Sequence, residues 1–189
     1  MAKFFGNLNA VLAVGFALMV ILLLWTNSLG NPAGWMTFLH VISGVMWIGL
    51  LYYFNFVQIP TMPKVPAELK PGVSKYIAPE ALFWFRYAAL ATVATGILVS
   101  ILNGYAHQAF TLQEGFRTIG IGMYLALIMA FNVWFVIWPN QKKALGLVEA
   151  DADTKAKAAV TAMMFSRTNT LLSIPMLFCM VIHRLGGAM

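Results

Sequence analysis

Five apolar runs, each of bilayer-crossing length, constrain this chain more than any motif does. They cover about 8–29, 35–57, 81–103, 118–138 and 169–185. A spanning helix needs about 20 mostly apolar residues. Within lipid every backbone polar group must be satisfied inside the chain, which leaves helices and closed barrels, and uninterrupted apolar runs of this length select helices. The expected fold is therefore all-α: an integral membrane bundle of five transmembrane helices, forming a single domain over 1–189. Composition agrees, with 61% hydrophobic and 10% charged residues, against about 25% charged in soluble domains.

The connections set the expected orientation. Lys3 precedes the first run. Lys64, Lys70, Lys75 and Arg86 lie in or just after the second connection; Lys142, Lys143, Lys155, Lys157 and Arg167 lie in the fourth. Arg117 and Arg184 fall on the other side. Ten of the twelve basic residues share one side if the N-terminus is cytoplasmic and the C-terminus outside, so N-in/C-out follows from the positive-inside rule. The net charge of +6 is explained by these loops, and no basic patch interleaved with aromatics points to nucleic acid. The localisation implied is a bacterial inner membrane, with the lipid bilayer as the first partner. The first run has a longer apolar core than the usual 7 to 15 or so residues of a secretory signal, and reads as a permanent helix.

Two connections have character of their own. Residues 59–79 carry Pro60, Pro63, Pro66, Pro71 and Pro79, which predicts an extended, stiff connector. Residues 150–165 have helix-forming composition and predict a short helix at the inner surface, leading into the fifth run. Pro175 lies within that run, where a proline bends a helix. Cys179 is alone, so no intrachain disulfide and no CxxC or CxxCH motif exists. The twelve methionines are scattered at core spacing and read as gap-fillers.

The second run, WMTFLHVISGVMWIGLLYYFNFVQIP from Trp35 to Pro60, is the most informative. Polar or ionisable residues inside a spanning helix are costly and mark functional sites. His40, Gly44, Trp47, Leu51 and Asn55 occur at steps of three or four and share one face. Gly44, one turn from His40, leaves space beside the imidazole, either for a flat cofactor or for a closely packed helix. His183, near the end of the fifth run, reaches the same outer boundary. His40 and His183 are thus a pair able to ligate a b-type haem, although His183 also suits a simple headgroup position. His107 falls in an outer loop, where solvation explains it. At the inner end, Asn55, Arg86, Asn132, Arg167 and Asn169 form an expected polar cluster, with the Asn amides or Glu80 as acceptors for Arg86. This cluster reads as inter-helix glue or as a pocket for a quinone head or small anion.

The motif HVISGVMWIGLLYYFNFVQIP, with the later stretches FWFRYAALATVATG, NVWFVIWPNQKKALG and MMFSRTNTLLSIPMLF, resembles the membrane domain of bacterial membrane-bound urate oxidases, also called urate hydroxylases. A histidine with Trp-x-Gly after it, early in a helix, also occurs in other small haem-associated membrane families. The resemblance implies a redox protein, with His40, Gly44 and Trp47 as the site face. Urate enzymes of this family carry a c-type cytochrome after the membrane domain. This chain lacks CxxCH, so the resemblance implies a separate electron acceptor, a cytochrome c or another membrane subunit. The resulting reading is a haem-b-binding electron-transfer protein, an oxidoreductase if an enzyme. The alternative is a cofactor-free accessory subunit of a larger respiratory-type membrane complex; either is compatible with a homo-oligomer.

Overall fold

The computed structural model describes residues 1–184, and these are all-helical apart from short connections. Five long helices carry the chain: α1 (Leu8–Trp25), α2 (Pro32–Tyr52), α3 (Ala78–Leu102), α4 (Arg117–Phe131) and α5 (Ala152–Arg184). With their helical extensions, all five are long and apolar enough to cross a membrane. This is the architecture of a membrane protein. The end expected for the fifth run at Leu185, and the side chain of Arg184, lie outside the described residues.

The chain divides into two compact units, Met1–Trp35 and Met36–Met189. In the first, α1 starts at Asn7, whose side chain accepts a hydrogen bond from the Ala10 amide at 3.2 Å. This satisfies one of the orphan donors of the first turn. No α1 residue is buried.

In the second unit a core of Trp47, Leu51, Leu82, Phe85, Met129, Val133 and Ile137 joins α2, α3, α4 and the wide helical turn Asn132–Ile137 that continues α4. Helix α5 packs most extensively along α4. Small residues allow this approach: a Cβ on Gly122 would stand 2.8 Å from the Cys179 Cβ. Lipid-facing positions such as Val45, Phe135, Leu171 and Phe178 are exposed and apolar, as a bilayer solvent requires.

The proline-rich connector is not extended. It is built of short helical pieces, Ile59–Thr61, Met62–Lys64, Lys70–Gly72 and a wide turn over Val73–Ile77. An extended backbone occurs at Val65 (φ −73°, ψ 129°), directly before Pro66, where the proline ring disfavours the helical conformation. Pro63 and Pro71 sit in the first residues of short helical pieces, where their fixed φ and missing N–H are tolerated, whereas Pro60 and Pro79 follow wide turns within continuous helical backbone.

A separate surface helix over 150–165 does not form either. Ala152–Arg184 is a single helix of 33 residues, about 50 Å long. It outruns a hydrocarbon core of about 30 Å, so its polar first turns form a stem continuous with the span. Nothing between Ala152 and Asn169 breaks a helix: there is no glycine and no proline. The stem starts at Asp151, whose carboxylate accepts from the Thr154 amide at 2.7 Å and hydroxyl at 2.8 Å. The Thr154 amide hydrogen bond in particular holds the Asp151 carboxyl below its ordinary range.

Candidate functional site

The second unit holds a cavity of about 450 Å³, open on the side of its exposed lining residues Val41, Val45 and Val181, within the usual range of about 300–1,000 Å³ for small-molecule sites. Its lining comes from all four helices of the unit and is almost wholly apolar. Among the lining residues are His40, Gly44 and Trp47 from α2, Thr92 and Gly96 from α3, Met123 from α4, and Met176 and Met180 from α5. Of the described lining residues His40 is the one histidine, and none is a carboxylate, lysine or arginine.

His40 is held in a defined pose. Its Nδ1 lies 2.9 Å from the Thr92 carbonyl oxygen. A carbonyl can only accept, so the Nδ1 hydrogen is the donor, and in the neutral ring Nε2 keeps its lone pair. The Thr95 hydroxyl stands 3.5 Å from the same Nδ1 and donates to the Ala91 carbonyl at 2.6 Å. The Thr92 hydroxyl donates to the Ala88 carbonyl at 2.7 Å. Both threonines turn back onto their own helix; the Thr95 hydroxyl also reaches the Thr92 carbonyl at 3.2 Å, so this oxygen is shared, with the imidazole as its nearer partner.

The notch that admits the imidazole is Gly96 rather than Gly44. A Cβ on Gly96 would fall 2.8 Å from His40 Cε1 and 3.1 Å from Nδ1. A Cβ on Gly44 would meet only the Thr92 methyl, at an ordinary 3.8 Å; Gly44 widens the open cavity. Gly96 could be noticed in the sequence as the glycine ending Thr92-Val-Ala-Thr-Gly96, one turn beyond Thr92. Its pairing with His40, 56 positions earlier in the chain, is tertiary.

His183 is placed elsewhere. It is half-buried against Tyr105 and Phe116, with ring centroids 5.1 and 6.2 Å away, and it does not line the cavity. His107 is exposed in the loop helix Ala106–Phe110. Among the described residues no group of three His, Cys, Asp or Glu side chains gathers for a metal ion.

The polar residues at the other end of the bundle separate into distinct contacts. Asn132 donates to Asn169 Oδ1 at 2.9 Å, and Asn169 donates to the Met129 carbonyl at 2.9 Å. Asn55 donates to the Leu51 carbonyl and to Ser166 Oγ, at 2.9 and 2.8 Å. Arg86 takes none of these amides. Its guanidinium lies over the Trp138 ring, 3.4 Å from the centroid, and Glu80 instead accepts from Trp84 Nε1 at 3.2 Å. Arg167 is exposed. Asn55, Asn132 and Asn169 thus lock helices together, each through a different partner, whereas Arg86 rests on an aromatic face.

Residues 97–186 match the family described as Urate oxidase N-terminal. No curated protein and no solved structure matches the chain. The matched stretch begins one residue after Gly96 and runs through α4 and α5. It supplies the cavity wall that holds Met123, Met176 and Met180, while His40 lies before it. Over residues 97–186, just under half of its length, this membrane chain is similar to the urate oxidase N-terminal family.

Proposed function

We propose that this chain is a haem-b-binding redox protein of a bacterial inner membrane, passing electrons to a separate acceptor such as a cytochrome c. One observation carries the reading: His40 lines an apolar cavity with its Nδ1–H fixed on the Thr92 carbonyl, which leaves Nε2 as the ring nitrogen with a lone pair for a ligand bond. Metal-ligating histidines commonly donate their other ring N–H to a backbone carbonyl or carboxylate, which fixes the tautomer and raises the basicity of the ligating nitrogen. Bundles build cofactor sites from side chains on facing helices in this way.

The residues present fit such a group at one ligand position. His40 would hold it; Gly44 would leave it room, while Gly96 seats the imidazole itself; Met123, Met176 and Met180 would offer sulfur on the remaining walls. When bound, haem supplies one-electron chemistry. The protein's own contribution is to hold His40 in one tautomer, to exclude water with an apolar lining, and to surround the site with packed helices. Among the described residues no lysine or arginine lines the cavity, so acidic substituents of any guest would lie at its mouth. His183 is not needed for this arrangement. A urate-hydroxylase-like activity is the more specific version, supported by the family match.

The experiment is haem content per polypeptide, with reduced-minus-oxidised spectra, in detergent. Parent protein should carry a haem band. His40→Ala should abolish haem retention, whereas His183→Ala and His107→Ala should retain it. Full haem content and an unchanged spectrum in His40→Ala would sink the reading. A colourless parent would shift the weight to a cofactor-free accessory subunit.

A further inference from the structure

A second feature lies at the other end of the bundle from His40. The Arg86 guanidinium is buried, with 8% of the residue's surface exposed, and its Nη1 has no hydrogen-bond partner among the described residues. Lys142 joins it on the same indole, with Nζ 5.6 Å from the Trp138 centroid. Among the described residues neither cation has a carboxylate, and the one ion pair is Lys157 with Asp153, at 2.6 Å on the exposed stem of α5. Two cations sharing one aromatic ring repel each other, and a buried charge without a counter-ion is costly. The indole face offsets part of that cost by cation–π attraction, but it leaves the Arg86 Nη1 donors unmet. An anion placed between the two would answer both deficits: a planar fork from Arg86, suited to bidentate oxyanion binding, and a point charge from Lys142.

We propose that Arg86 and Lys142, gathered on the Trp138 ring, form a binding site for a phosphate-type oxyanion. The chemistry is that of a phosphate monoester or diester, which an anionic phospholipid headgroup and free inorganic phosphate share. This site is separate from the His40 cavity and does not depend on its occupant.

Thermal unfolding of the full chain tests the site in two arms. In detergent, inorganic phosphate is titrated against chloride at equal ionic strength. In nanodiscs, phosphatidylglycerol is compared with phosphatidylcholine alone. Stabilisation by phosphate in detergent identifies a free-anion site; stabilisation by phosphatidylglycerol alone identifies a headgroup site. In the responding arm, Lys142→Gln should weaken apparent affinity by about tenfold, in line with a hydrogen bond to a charged group. Arg86→Gln should abolish the response and Arg86→Lys should keep part of it. Lys142 lies outside the core, so its variant remains informative even where Arg86→Gln fails to fold. Equal melting in phosphate and chloride together with equal melting in both lipids would overturn the proposal, as would a full response in Lys142→Gln.

Discussion

Gly96 shows how much one missing methyl decides here. It is a small gap in an apolar helix, and the His40 ring fills it at less than van der Waals distance from where a Cβ would stand. Gly96→Ala must push the imidazole off the Thr92 carbonyl or part α2 from α3. The expected cost is about 1–3 kcal/mol, the range for overpacking a filled site. Gly44→Ala should change stability by less than about 0.5 kcal/mol, because its Cβ would face open cavity and one methyl contact. Chemical or thermal unfolding of the two variants in detergent checks the contrast. Equal costs would mean that the imidazole does not occupy the Gly96 notch. Gly44 carries the opposite signature, in which loss of cavity volume should lower ligand retention without lowering stability.

The helices share one device. Among the described residues three wide π-type turns occur, at Tyr53–Gln58, Val73–Ile77 and Asn132–Ile137, and each ends two residues before a proline: Pro60, Pro79 and Pro139. Proline has no N–H and cannot bond the carbonyl four residues back. A turn of one extra residue lets a later N–H reach that carbonyl, which is how proline is accommodated in a membrane helix. The extra residue also rotates the later part of the helix by about 100° relative to the earlier part. At Asn132–Ile137 this rotation lets one continuous helical path place Asn132 on Asn169 and Trp138 under Arg86. Pro139→Ala restores the missing donor and removes the reason for the wide turn, so the two contacts can no longer both be kept. Combined with Asn132→Ala, its effect on unfolding should be non-additive, with a coupling of about 0.5–3 kcal/mol. Simple additivity would show that the turn persists without the proline.

For the molecule as a whole, the bias of basic residues predicts the orientation. A reporter fused after Met189 should behave as external, and one inserted at 146–150, between the helical segment Trp138–Ala144 and α5, as cytoplasmic. Labelling of Lys142 or Lys143 from outside intact cells would reverse the assignment. The phosphate-type site would then face outward as well, since Arg86 and Lys142 share the end of the bundle that carries most of the lysines.

Five spanning helices, their number and their order, were determined by the chain alone, because a bilayer requires about 20 apolar residues per crossing and the sequence supplies them five times. The polar positions His40, Arg86, Asn132 and Asn169 were legible for the same reason, since such residues stand out in apolar helices. Which partner each one meets was not legible. Sequence spacing fixes the faces of a helix but not its rotation against its neighbours, and proline-driven wide turns shift those faces partway along. Only the tertiary structure paired His40 with Thr92 and Gly96, sent His183 to Tyr105 and Phe116, and laid Arg86 on Trp138 rather than on the asparagines. Likewise, 150–165 had the composition of a surface helix, and what made it the stem of α5 was the absence of any breaker to separate it from the span.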